Sequence, residues 1–447
     1  MISIFPDSLI RFAKNSPHPI YAVGGFLRNL YAGLDINATD IDLCGEARVE
    51  ELGVPYRLQS KKLGTALVTI GERQYEYTPF RSETYFGGKH TPETVQLGVN
   101  LQTDAQRRDF TVGCIYCRLA DGEIFDPYGG VADAKNKIIR QIHDKVFLSD
   151  GLRLLRMVRI AAETGFDIDE NTKNCAKSQA HLLADISPER KRQELVRMLN
   201  ADLMYGVTDA HFYALVYAES AGLFEYFIPE MVQMRKFPQN PLYHNYDVLW
   251  HTFHTVKNAH PRVRLAALFH DIAKPKCKLR DGNMHKHAME SARMAKEIME
   301  RLRFSNKEID FAVRLIYNHM YDLKGQASFN KVKIFVADNM DIIDDLMLLN
   351  RADALGTGKH NDDLHKFDKV KQAILDENAP YDLSLLKVSG DDLTEIGFSG
   401  QDVGLELGRL RRICILDPVL NRREWLVSTA QNDLRIWSKI CQEERSV

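Results

Sequence analysis

The chain has 447 residues, of which 45% are hydrophobic and 27% are charged, and its formal net charge is −2. A chain of this length and composition is typical of a globular protein with several domains and a large core. The charge excludes a protein coated in positive charge, so nucleic-acid binding would need local basic stripes. No apolar run reaches transmembrane length and no secretory signal pattern opens the chain, which predicts a cytoplasmic protein without a membrane partner.

Two glycines after a short apolar run are the first informative feature. Residues 21–23 predict a strand, and residues 26–34 predict a helix, with Gly24 and Gly25 between them. A strand that enters two glycines and then a helix leaves backbone N–H groups without partners at the helix start. Those groups and the positive end of the helix dipole suit a phosphate, so the segment predicts a phosphate cradle.

A pair of aspartates follows the predicted helix. Asp40 and Asp42 lie in residues 39–43, which predict a second strand. Side chains two apart on a strand share a face, so both carboxylates can point at one spot and hold two Mg²⁺ ions for phosphoryl or nucleotidyl transfer. Glu76, in a strand predicted over residues 74–80, is a third acid that could join them; a half-exposed surface glutamate is the alternative.

Adjacent arginines precede another predicted strand. Further strands are expected over residues 66–70, 110–119 and 123–125. The guanidinium forks of Arg107 and Arg108 match triphosphate oxygens. An aspartate beside them, at position 109, could accept a hydrogen bond from a ribose hydroxyl.

The seven cysteines are scattered, and reduced thiols are the default expectation. Cys114 and Cys117 form a C-x-x-C pair, the spacing of many zinc and redox sites. They lie three positions apart in a predicted strand, so they would face opposite sides, and no second cysteine pair accompanies them. The sequence therefore favours two structural thiols over a zinc site.

From residue 148 onward the pattern becomes helical almost to the end. Apolar residues recur at helical spacing after Asp150, which is a possible helix cap. Boundaries are expected near residues 238–241 and 356–363. The predicted fold class is α+β, with a small mixed-sheet head followed by an all-helical neck, body and tail.

Six imidazole and carboxylate side chains recur along the helical body. Such ligands suit a transition metal such as Ni²⁺, Mn²⁺ or Fe²⁺, and a bound ion could activate water for phosphoester hydrolysis. His254, one helical turn from the first of them, is an alternative ligand. The six candidate metal ligands are His251, His270, Asp271, His287, His319 and Asp353.

Together the head and neck motifs resemble the bacterial-type (class II) tRNA nucleotidyltransferase and poly(A) polymerase family. A tail segment over residues 386–393, with Gly397 and Gly404, is similar to that of many CCA-adding members. The resemblance therefore covers nearly the whole chain. The motifs are residues 24–28 (GGFLR), 40–42 (DID), 62–65 (KLGT), 76–81 (EYTPFR), 107–111 (RRDFT), 149–159 (SDGLRLLRMVR) and 187–190 (SPER).

The six ligands of the body resemble the HD phosphohydrolase superfamily. His251, His270, Asp271 and Asp353 match its core motif, and two further histidines match positions that some members use for a second metal. The two resemblances imply five regions. These are a nucleotidyltransferase head (1–145), a helical neck that reads the base (146–205), a helical connector (206–240), an HD domain (241–360) and a helical tail that binds tRNA (361–447).

The resemblance implies template-independent addition of CCA, from CTP and ATP, to the 3′ end of tRNA. Two Mg²⁺ ions at Asp40 and Asp42 would serve the attack of the tRNA hydroxyl on the α-phosphorus, with pyrophosphate as the leaving group. Asp150 and Arg153, three apart on one predicted helix face, would read the incoming base; a capping acid and a solvated arginine are the alternative. The implied nucleotide-binding residues are Gly24, Gly25, Arg28, Arg108, Asp109, Asp150, Arg153, Arg156 and Arg159.

Three positions depart from the family patterns. Asn29 stands where the pattern GGxVRD has its aspartate, Ser149 where the neck motif has a glutamate, and Gly113 where RRDFTxNA has its asparagine. The departures leave base selectivity and the number of added nucleotides open.

Other functions fit parts of the same pattern. The nearest alternative adds only A or makes poly(A) tails. A second, from another class, is an HD-type metal-dependent phosphohydrolase with an inactive polymerase head, and a third is a non-catalytic RNA-binding protein. The HD body could also be a degenerate scaffold that only binds tRNA, and the sequence does not predict an oligomeric state.

Overall fold

The computed structural model of the protein describes residues 2–37, 39–84, 93–242, 244–322, 325–358 and 366–444. A head of mixed α and β structure comes first, and helices make up almost all of the rest. This confirms the predicted α+β class. Within the described ranges, no helix is both long enough and apolar enough to cross a membrane.

The head is built on a seven-stranded sheet with the strand order β3-β4-β5-β2-β1-β8-β9. β1 pairs antiparallel with both β2 and β8, whereas β2 and β5 run parallel. β6 and β7 form a separate antiparallel pair. The strands are β1 (Tyr21–Val23), β2 (Asp42–Gly45), β3 (Tyr56–Ser60), β4 (Thr65–Ile70), β5 (Arg73–Pro79), β6 (Arg81–Thr84), β7 (Thr94–Leu97), β8 (Tyr116–Arg118), β9 (Ile124–Phe125), β10 (Ile138–Ile139) and β11 (Asp167–Ile168).

Four helices accompany the sheet of the head. The first carries Leu9 and Ile10 into the core beneath β4, and the second buries Phe26 and Leu27. The second helix ends at Gly33, whose φ of +70° gives the left-handed turn that commonly closes a helix. The helices are α1 (Asp7–Asn15), α2 (Gly25–Ala32), α3 (Leu101–Gln106) and α4 (Gly130–Lys135).

Two predicted strands are wrong in their extent. The strand expected over residues 39–43 begins only at Asp42, because β1 ends at Val23 opposite Asp42 and offers Asp40 no partner. The segment 110–119 contains a 3-10 turn, Thr111–Gly113, before the short strand β8. The strands expected over residues 66–70, 74–80 and 123–125 are confirmed as β4, β5 and β9.

Among the described residues after β10, β11 is the single strand, and it pairs in parallel with β10; the other regular elements there are helices. One buried core runs from the head through these helices, and a separate small core lies in the tail around Leu393 and Leu410. The helices are α5 (Val146–Ser149), α6 (Arg153–Thr164), α7 (Glu170–Ser178), α8 (Pro188–Leu199), α9 (Asp202–Tyr205), α10 (Ala210–Ser220), α11 (Phe224–Phe227), α12 (Val248–Asn258), α13 (Arg264–Phe269), α14 (Lys274–Asp281), α15 (His287–Arg301), α16 (Asn306–Asn318), α17 (Phe329–Asp338), α18 (Ile343–Gly356), α19 (Lys366–Asp376), α20 (Gly390–Glu395), α21 (Gln401–Leu416) and α22 (Arg423–Glu444).

The start of α6 also differs from expectation. Asp150 has an extended backbone, with φ −151°, and α6 begins at Arg153, so the two residues do not share a helix face. The carboxylate of Asp150 accepts a hydrogen bond from the N–H of Leu152 at 3.0 Å. Asp150 therefore orders the turn that leads into α6, although the residue at the N-cap of α6 is Leu152.

Candidate active site of the head and candidate metal centre of the body

The glycine turn lies between an acid and a guanidinium. Gly24 has φ +81° and precedes α2, a conformation that side chains other than glycine rarely adopt. A Cβ placed on Gly24 would lie 3.9 Å from Asp42 Oδ2 and 4.0 Å from Arg108 Nη1. The bare backbone of this turn is therefore open to a ligand that contacts both groups.

Three acids share the neighbourhood of this turn. The parallel register pairs Leu43 with Tyr77, which sets Asp42 beside Glu76 on the neighbouring strand. The side chain of Asp42 reaches solvent, but desolvation by the surrounding protein raises its pKa to about 6. The negative charges of Glu76 and Asp40 raise this pKa further, whereas the positive charge of Arg108 lowers it. The concentrated negative charge favours a divalent cation.

The acids of the head do not form a closed cage. Asp40, Asp42 and Glu76 are all exposed. In the described parts of the chain, both groups of three ligating side chains with atoms within 4.8 Å of one another lie elsewhere, in the helical body. A cation at the head would therefore complete its coordination with solvent or substrate oxygens.

One buried carboxylate that sequence reasoning missed holds the two adjacent arginines. Asp104, in α3, accepts hydrogen bonds from Arg107 Nε at 2.9 Å, Arg108 Nε at 3.2 Å and the Tyr116 hydroxyl at 2.9 Å. Burial opposes its ionisation, but Arg108 and Arg107 outweigh burial and lower the pKa of Asp104 to about 2. Asp104 thus fixes the direction of both guanidinium groups.

A cleft of about 280 Å³ separates the head from the neck. Within it, Asp109 Oδ2 accepts two hydrogen bonds from Arg156, at 2.8 and 2.6 Å. Burial opposes ionisation of Asp109, but Arg156 and Arg153 hold its pKa well below the usual range. The cleft is lined by Leu63, Arg81, Glu83, Arg107, Arg108, Asp109, Asp150, Arg153, Arg156 and Arg190.

The two proposed base-reading residues both line this cleft. Asp150 Oδ2 lies 3.2 Å from Arg190 Nη2, and Arg190 belongs to the SPER segment, which was not predicted as part of the site. Arg153 donates to the backbone carbonyl oxygens of Val146, at 3.0 Å, and Arg107. Arg153 therefore ties the neck to the arginine pair of the head.

Two other predicted arginines are not among the residues described as lining the cleft. Arg28 is buried and donates from Nη2 to the Tyr205 hydroxyl at 3.2 Å, and burial lowers its pKa. Arg159 is also buried, 2.6 Å from both Glu163 and Glu194. Their positions connect helices rather than face the cleft.

The departures from the family patterns have local structural consequences. Asn29 accepts a hydrogen bond from Arg28 Nε at 2.9 Å and donates to Thr39 Oγ1 at 2.8 Å, which anchors the segment before Asp40. At Gly113, a Cβ would lie 3.4 Å from Asp109 Oδ1. The glycine therefore removes a side chain that would touch Asp109.

The six ligand-type residues of the body come together from several helices. His251 lies in α12 and Asp353 in α18, while His270 and Asp271 directly follow α13. His287 begins α15, and His319 directly follows α16. The groups that lie within 4.8 Å are His251, His270 and Asp353, and Asp271, His287 and His319.

The imidazole rings present lone pairs to one another. His270, His287 and His319 each direct Nδ1 at a backbone carbonyl oxygen 2.6–2.8 Å away. Only a protonated nitrogen can donate there, so in the neutral ring Nε2 carries the lone pair. His287 Nε2 lies 3.3 Å from His319 Nε2, so the pair needs either a shared proton or a cation between the two nitrogens.

The spacing of the ligand atoms fits metal coordination. His251 Nε2 lies 3.3 Å from His270 Nε2 and 2.9 Å from Asp353 Oδ1. Ligands about 2.1 Å from a tetrahedral metal stand roughly 3.4 Å apart. The donors present therefore fit a divalent ion without rearrangement.

Asp271 faces both groups. Its Oδ2 lies 3.2 Å from His270 Nε2, while its Oδ1 lies 3.1 Å from His287 Nε2. Burial disfavours the charged form of His270, but Asp271 and Asp353 raise its pKa to about 10. Burial, His270 and His287 together lower the pKa of His319 to about 3, so that ring is neutral at physiological pH.

Other residues near this centre were missed or placed elsewhere by the sequence. The His244 ring lies 4.9 Å from that of His251, and Lys274 Nζ lies 2.6 Å from Asp271 Oδ2. His254, the alternative ligand, instead stacks on Tyr246 at 4.2 Å. A ring that packs there is not part of either group of metal ligands.

The C-x-x-C pair of the head forms no metal group with the other described residues. Cys114 Sγ contacts the carbonyl oxygen of Ala105 at 3.7 Å, and Cys117 Sγ contacts that of Arg118 at 3.8 Å. Both thiols are buried and free.

Family models match three consecutive parts of the chain. The poly A polymerase head domain matches residues 20–140, and the HD domain matches residues 254–358. Between them, residues 165–234 match the family described as the probable RNA and SrmB-binding site of polymerase A. The three matches follow the order of head, neck and body.

Two relatives illustrate the extent of the sequence similarity. A CCA-adding enzyme of Lactobacillus helveticus is 38% identical over 40% of this chain and 45% of its own length. A CC-adding tRNA nucleotidyltransferase of Thermus thermophilus is 26% identical over 77% of this chain and 78% of its own length. The chain thus spans about half the length of the CCA-adding relatives it matches.

Solved structures show the same fold over nearly the whole chain. The Bacillus stearothermophilus CCA-adding enzyme in complex with CTP aligns with a TM-score of 0.67 at 21% identity, covering 97% of this chain and 98% of the other. An apo CCA-adding enzyme aligns with a TM-score of 0.61 at 18% identity. The chain therefore carries a poly A polymerase head domain, a segment of the polymerase A RNA-binding family and an HD domain, in that order, and its fold is similar to that of CCA-adding enzymes.

Proposed function

We propose that the protein adds CCA to the 3′ end of tRNA from CTP and ATP. One observation carries the proposal: the bare backbone at Gly24 lies beside both the Asp42 carboxylate and the Arg108 guanidinium. A phosphate at the glycine turn and the start of α2 would contact the arginine and stand next to the acids.

Each part of the head then has a role in nucleotidyl transfer. Mg²⁺ at Asp40 and Asp42, with Glu76 beside them, would supply the charge that activates the tRNA hydroxyl and stabilises pyrophosphate release. Asp104 holds Arg107 and Arg108 toward the cleft. The cleft itself, about 280 Å³, receives the sugar and base.

Base selection is assigned to the neck side of the cleft. Asp150 and Arg190 offer acceptors and donors that can match the polar edge of cytosine or adenine. Arg153 is held against the backbone of Arg107, so its position depends on the closure of head on neck. Arg156 binds Asp109 and directs its carboxylate toward a ribose.

An incorporation assay tests this function and separates it from its alternatives. Transcripts of tRNA that end before the CCA, after C, or after CC are incubated with CTP, ATP or both. Successive addition of C, C and A supports the proposal. Products that stop at CC, or acceptors extended only by A, would instead assign a CC-adding or an A-adding enzyme, and long A tracts would assign a poly(A) polymerase.

A second function is proposed for the body, where the HD centre would hydrolyse phosphoesters at RNA ends. The two ligand groups joined by Asp271 favour this, because buried lone pairs at this spacing fit divalent ions. Ni²⁺, Mn²⁺ and Fe²⁺ suit this mixture of imidazole and carboxylate. A bound ion would lower the pKa of its water, and Lys274, at the same carboxylate, could contact a phosphate.

Hydrolysis of RNA ends tests the second function. Short RNAs that end in a 2′,3′-cyclic phosphate or a 2′-phosphate are incubated with protein stripped of metal and reloaded with Ni²⁺, Mn²⁺ or Fe²⁺. Phosphate release or ring opening that requires the metal supports the HD activity. Tight metal binding without hydrolysis of either end would make the centre structural, and loss of metal binding altogether would favour the scaffold alternative.

A further inference from the structure

A chain of aromatic rings reaches the surface beside the HD centre. Tyr213 of α10 is 46% exposed, Trp250 of α12 is 39% exposed and Tyr246, in the loop before α12, is 37% exposed. Phe212 links the first two, with ring centroids 5.5 Å from Tyr213 and 6.4 Å from Trp250. We call Phe212, Tyr213, Tyr246, Trp250 and His254 the aromatic surface.

The aromatic surface is held rigidly at both of its ends. Tyr246 stacks on His254 at 4.2 Å, with 19° between the ring planes. Trp250 packs edge-on against the buried Phe253, and the Asp247 carboxylate fixes the start of α12 by accepting a hydrogen bond from the backbone N–H of Trp250 at 2.8 Å. Its rings can therefore offer flat faces to a ligand at a small entropic cost.

The aromatic surface lies near the candidate metal ligands. His251, a candidate ligand, follows Trp250 in α12, but its side chain is buried while that of Trp250 is 39% exposed, so the two side chains leave the helix on different sides. The loop that carries Tyr246 also carries His244, whose ring lies 4.9 Å from that of His251. A molecule bound on the aromatic surface would thus have one end near the HD centre.

The same loop is tied to the helix that supplies another ligand. Asn245 donates from its backbone to the carbonyl oxygen of Thr357 and from its side chain to that of Gly358, both at 3.1 Å. These residues directly follow α18, which carries Asp353. The distance between the aromatic surface and the centre is therefore set by the fold.

We propose that the aromatic surface stacks the bases of unpaired nucleotides at an RNA end and leads the adjoining phosphate into the HD centre. The proposal rests on the phosphoester hydrolysis proposed above for that centre. Stacking suits any base, because every base has a π face, and it needs a single strand, because paired bases are covered. It therefore assigns single-stranded RNA ends as the substrate class.

Lysine side chains accompany the rings. Lys257 Nζ, which also pairs with Asp209 at 2.9 Å, lies 5.4 Å from the centroid of the Phe212 ring, and Lys274 Nζ lies beside Asp271 within the centre. Phe212 and Tyr213 fall within residues 165–234, which match the probable RNA and SrmB-binding site of polymerase A. Cations beside stacked rings are the usual combination for unpaired nucleic acid.

Binding of a single-stranded RNA hexanucleotide tests the proposal. Trp250→Ala and Tyr246→Ala are each expected to weaken binding, measured by fluorescence anisotropy, by about 5- to 100-fold. Trp250→Phe keeps a stacking ring and should bind nearly as well as the parent protein. Phe329→Ala, which removes another exposed ring (55%) far along the chain, is the matched control and should change nothing.

Two further arms test stacking and phosphate delivery directly. A hexamer of abasic nucleotides should bind about as weakly to the parent as the RNA does to Trp250→Ala. With Mn²⁺ loaded, the ³¹P signal of a terminal phosphate should broaden in the parent protein and not in Trp250→Ala.

Equal binding of RNA by the parent protein and both alanine variants would overturn the proposal. So would binding of the abasic hexamer to the parent protein as tightly as the RNA, or a ³¹P signal that broadens equally in the parent protein and in Trp250→Ala. Because none of these readouts needs turnover, a protein that binds and broadens the signal but does not hydrolyse RNA ends would refute the HD activity alone.

Discussion

The head and the body arrange their candidate metal-binding side chains in opposite ways. In the head, Asp40, Asp42 and Glu76 are exposed and do not form a group of three ligands within 4.8 Å of one another. In the body, His270 and Asp271 are buried, and both groups of three ligands already lie within 4.8 Å.

The difference shows how each site would handle a metal. Exposed acids on neighbouring strands need a substrate to complete the coordination, so a cation can arrive with a triphosphate and leave with pyrophosphate. Buried imidazoles whose lone pairs face one another are costly without a cation, so the body should retain its metal between turnovers. Variants of each site test whether the metal exchanges at the head and stays bound in the body.

The largest effect is expected from the acids of the head. Asp42→Ala and Asp40→Ala should each lower nucleotide incorporation by more than about 100-fold, because each removes a carboxylate from the cation site. Incorporation is measured with labelled CTP and ATP on tRNA that lacks its CCA. Filter binding of tRNA should be unchanged, and a variant that still incorporates nucleotides at the parental rate would disprove the metal assignment.

A large effect on the body alone is expected from Asp271→Asn. This carboxylate faces both ligand groups, so the variant should bind Mn²⁺ or Ni²⁺ at least about tenfold more weakly and lose metal-dependent hydrolysis. Nucleotide incorporation should stay within about twofold of the parent.

The matched control is Asp345→Asn, which changes a buried carboxylate of α18 that pairs with Arg262 instead. Equal loss of metal in this control would mean general damage to the domain. His270→Ala combined with Asp271→Ala should give the same separation of activities.

An intermediate effect is expected where the cleft joins head to neck. Asp109→Asn should raise the KM for CTP and ATP by about 10-fold, because a charge-assisted pair with Arg156 is worth about 1.5–3 kcal/mol. Arg156→Gln should act similarly, and the double variant should be no worse than either single variant. Additive losses in steady-state kinetics would show that the two residues act separately.

The pH dependence of the head offers a smaller test. Asp42 has a pKa of about 6, so it is protonated below that pH and loses the charge that a cation needs. The Mg²⁺ concentration for half-maximal incorporation should therefore rise about tenfold per pH unit below 6. Glu76→Gln removes one cause of the raised pKa and should move the onset to lower pH. An onset that does not move would assign the titration to the substrate.

The smallest effect is expected at Asn29. Asn29→Asp would place a carboxylate beside the buried Arg28 and should raise the free energy of unfolding by about 1 kcal/mol. Asn29→Ala leaves Arg28 Nε without its acceptor and should lower it by about 1–3 kcal/mol. Urea denaturation measures both. A destabilised aspartate variant would show that the hydrogen bond from the Asn29 amide to Thr39 contributes more to stability than an ion pair with Arg28.

Local patterns in the sequence predicted much of the fold. The strand, glycine and helix around Gly24 and the helical spacing of α6 depend on near neighbours, so they could be read directly. The extent of β2 could not, because it depends on where β1 ends, at Val23, which lies far along the chain from Asp42.

The sites were predictable where a pattern of residue types carried them. The six HD ligands stand in family order, although their convergence depends on helix packing. Asp104 and His244 gave no signal, because their roles arise from tertiary contacts with partners such as Tyr116 and His251, and no motif marks these contacts. The positions of Arg28 and Arg159 likewise depend on Tyr205 and Glu194, which local sequence does not reveal.

The two-residue ladder between β10 and β11 has a mechanical consequence. Among the described strands, it is the single sheet pairing that joins a strand before α5 to one after it. Arg140 reinforces this place, since its guanidinium lies 2.5 Å from Asp169 and 3.1 Å from Asp133. The two-residue ladder and the Arg140 ion pairs therefore tie the end of the head to the helical region that follows it, so a movement of one against the other would strain this short connection.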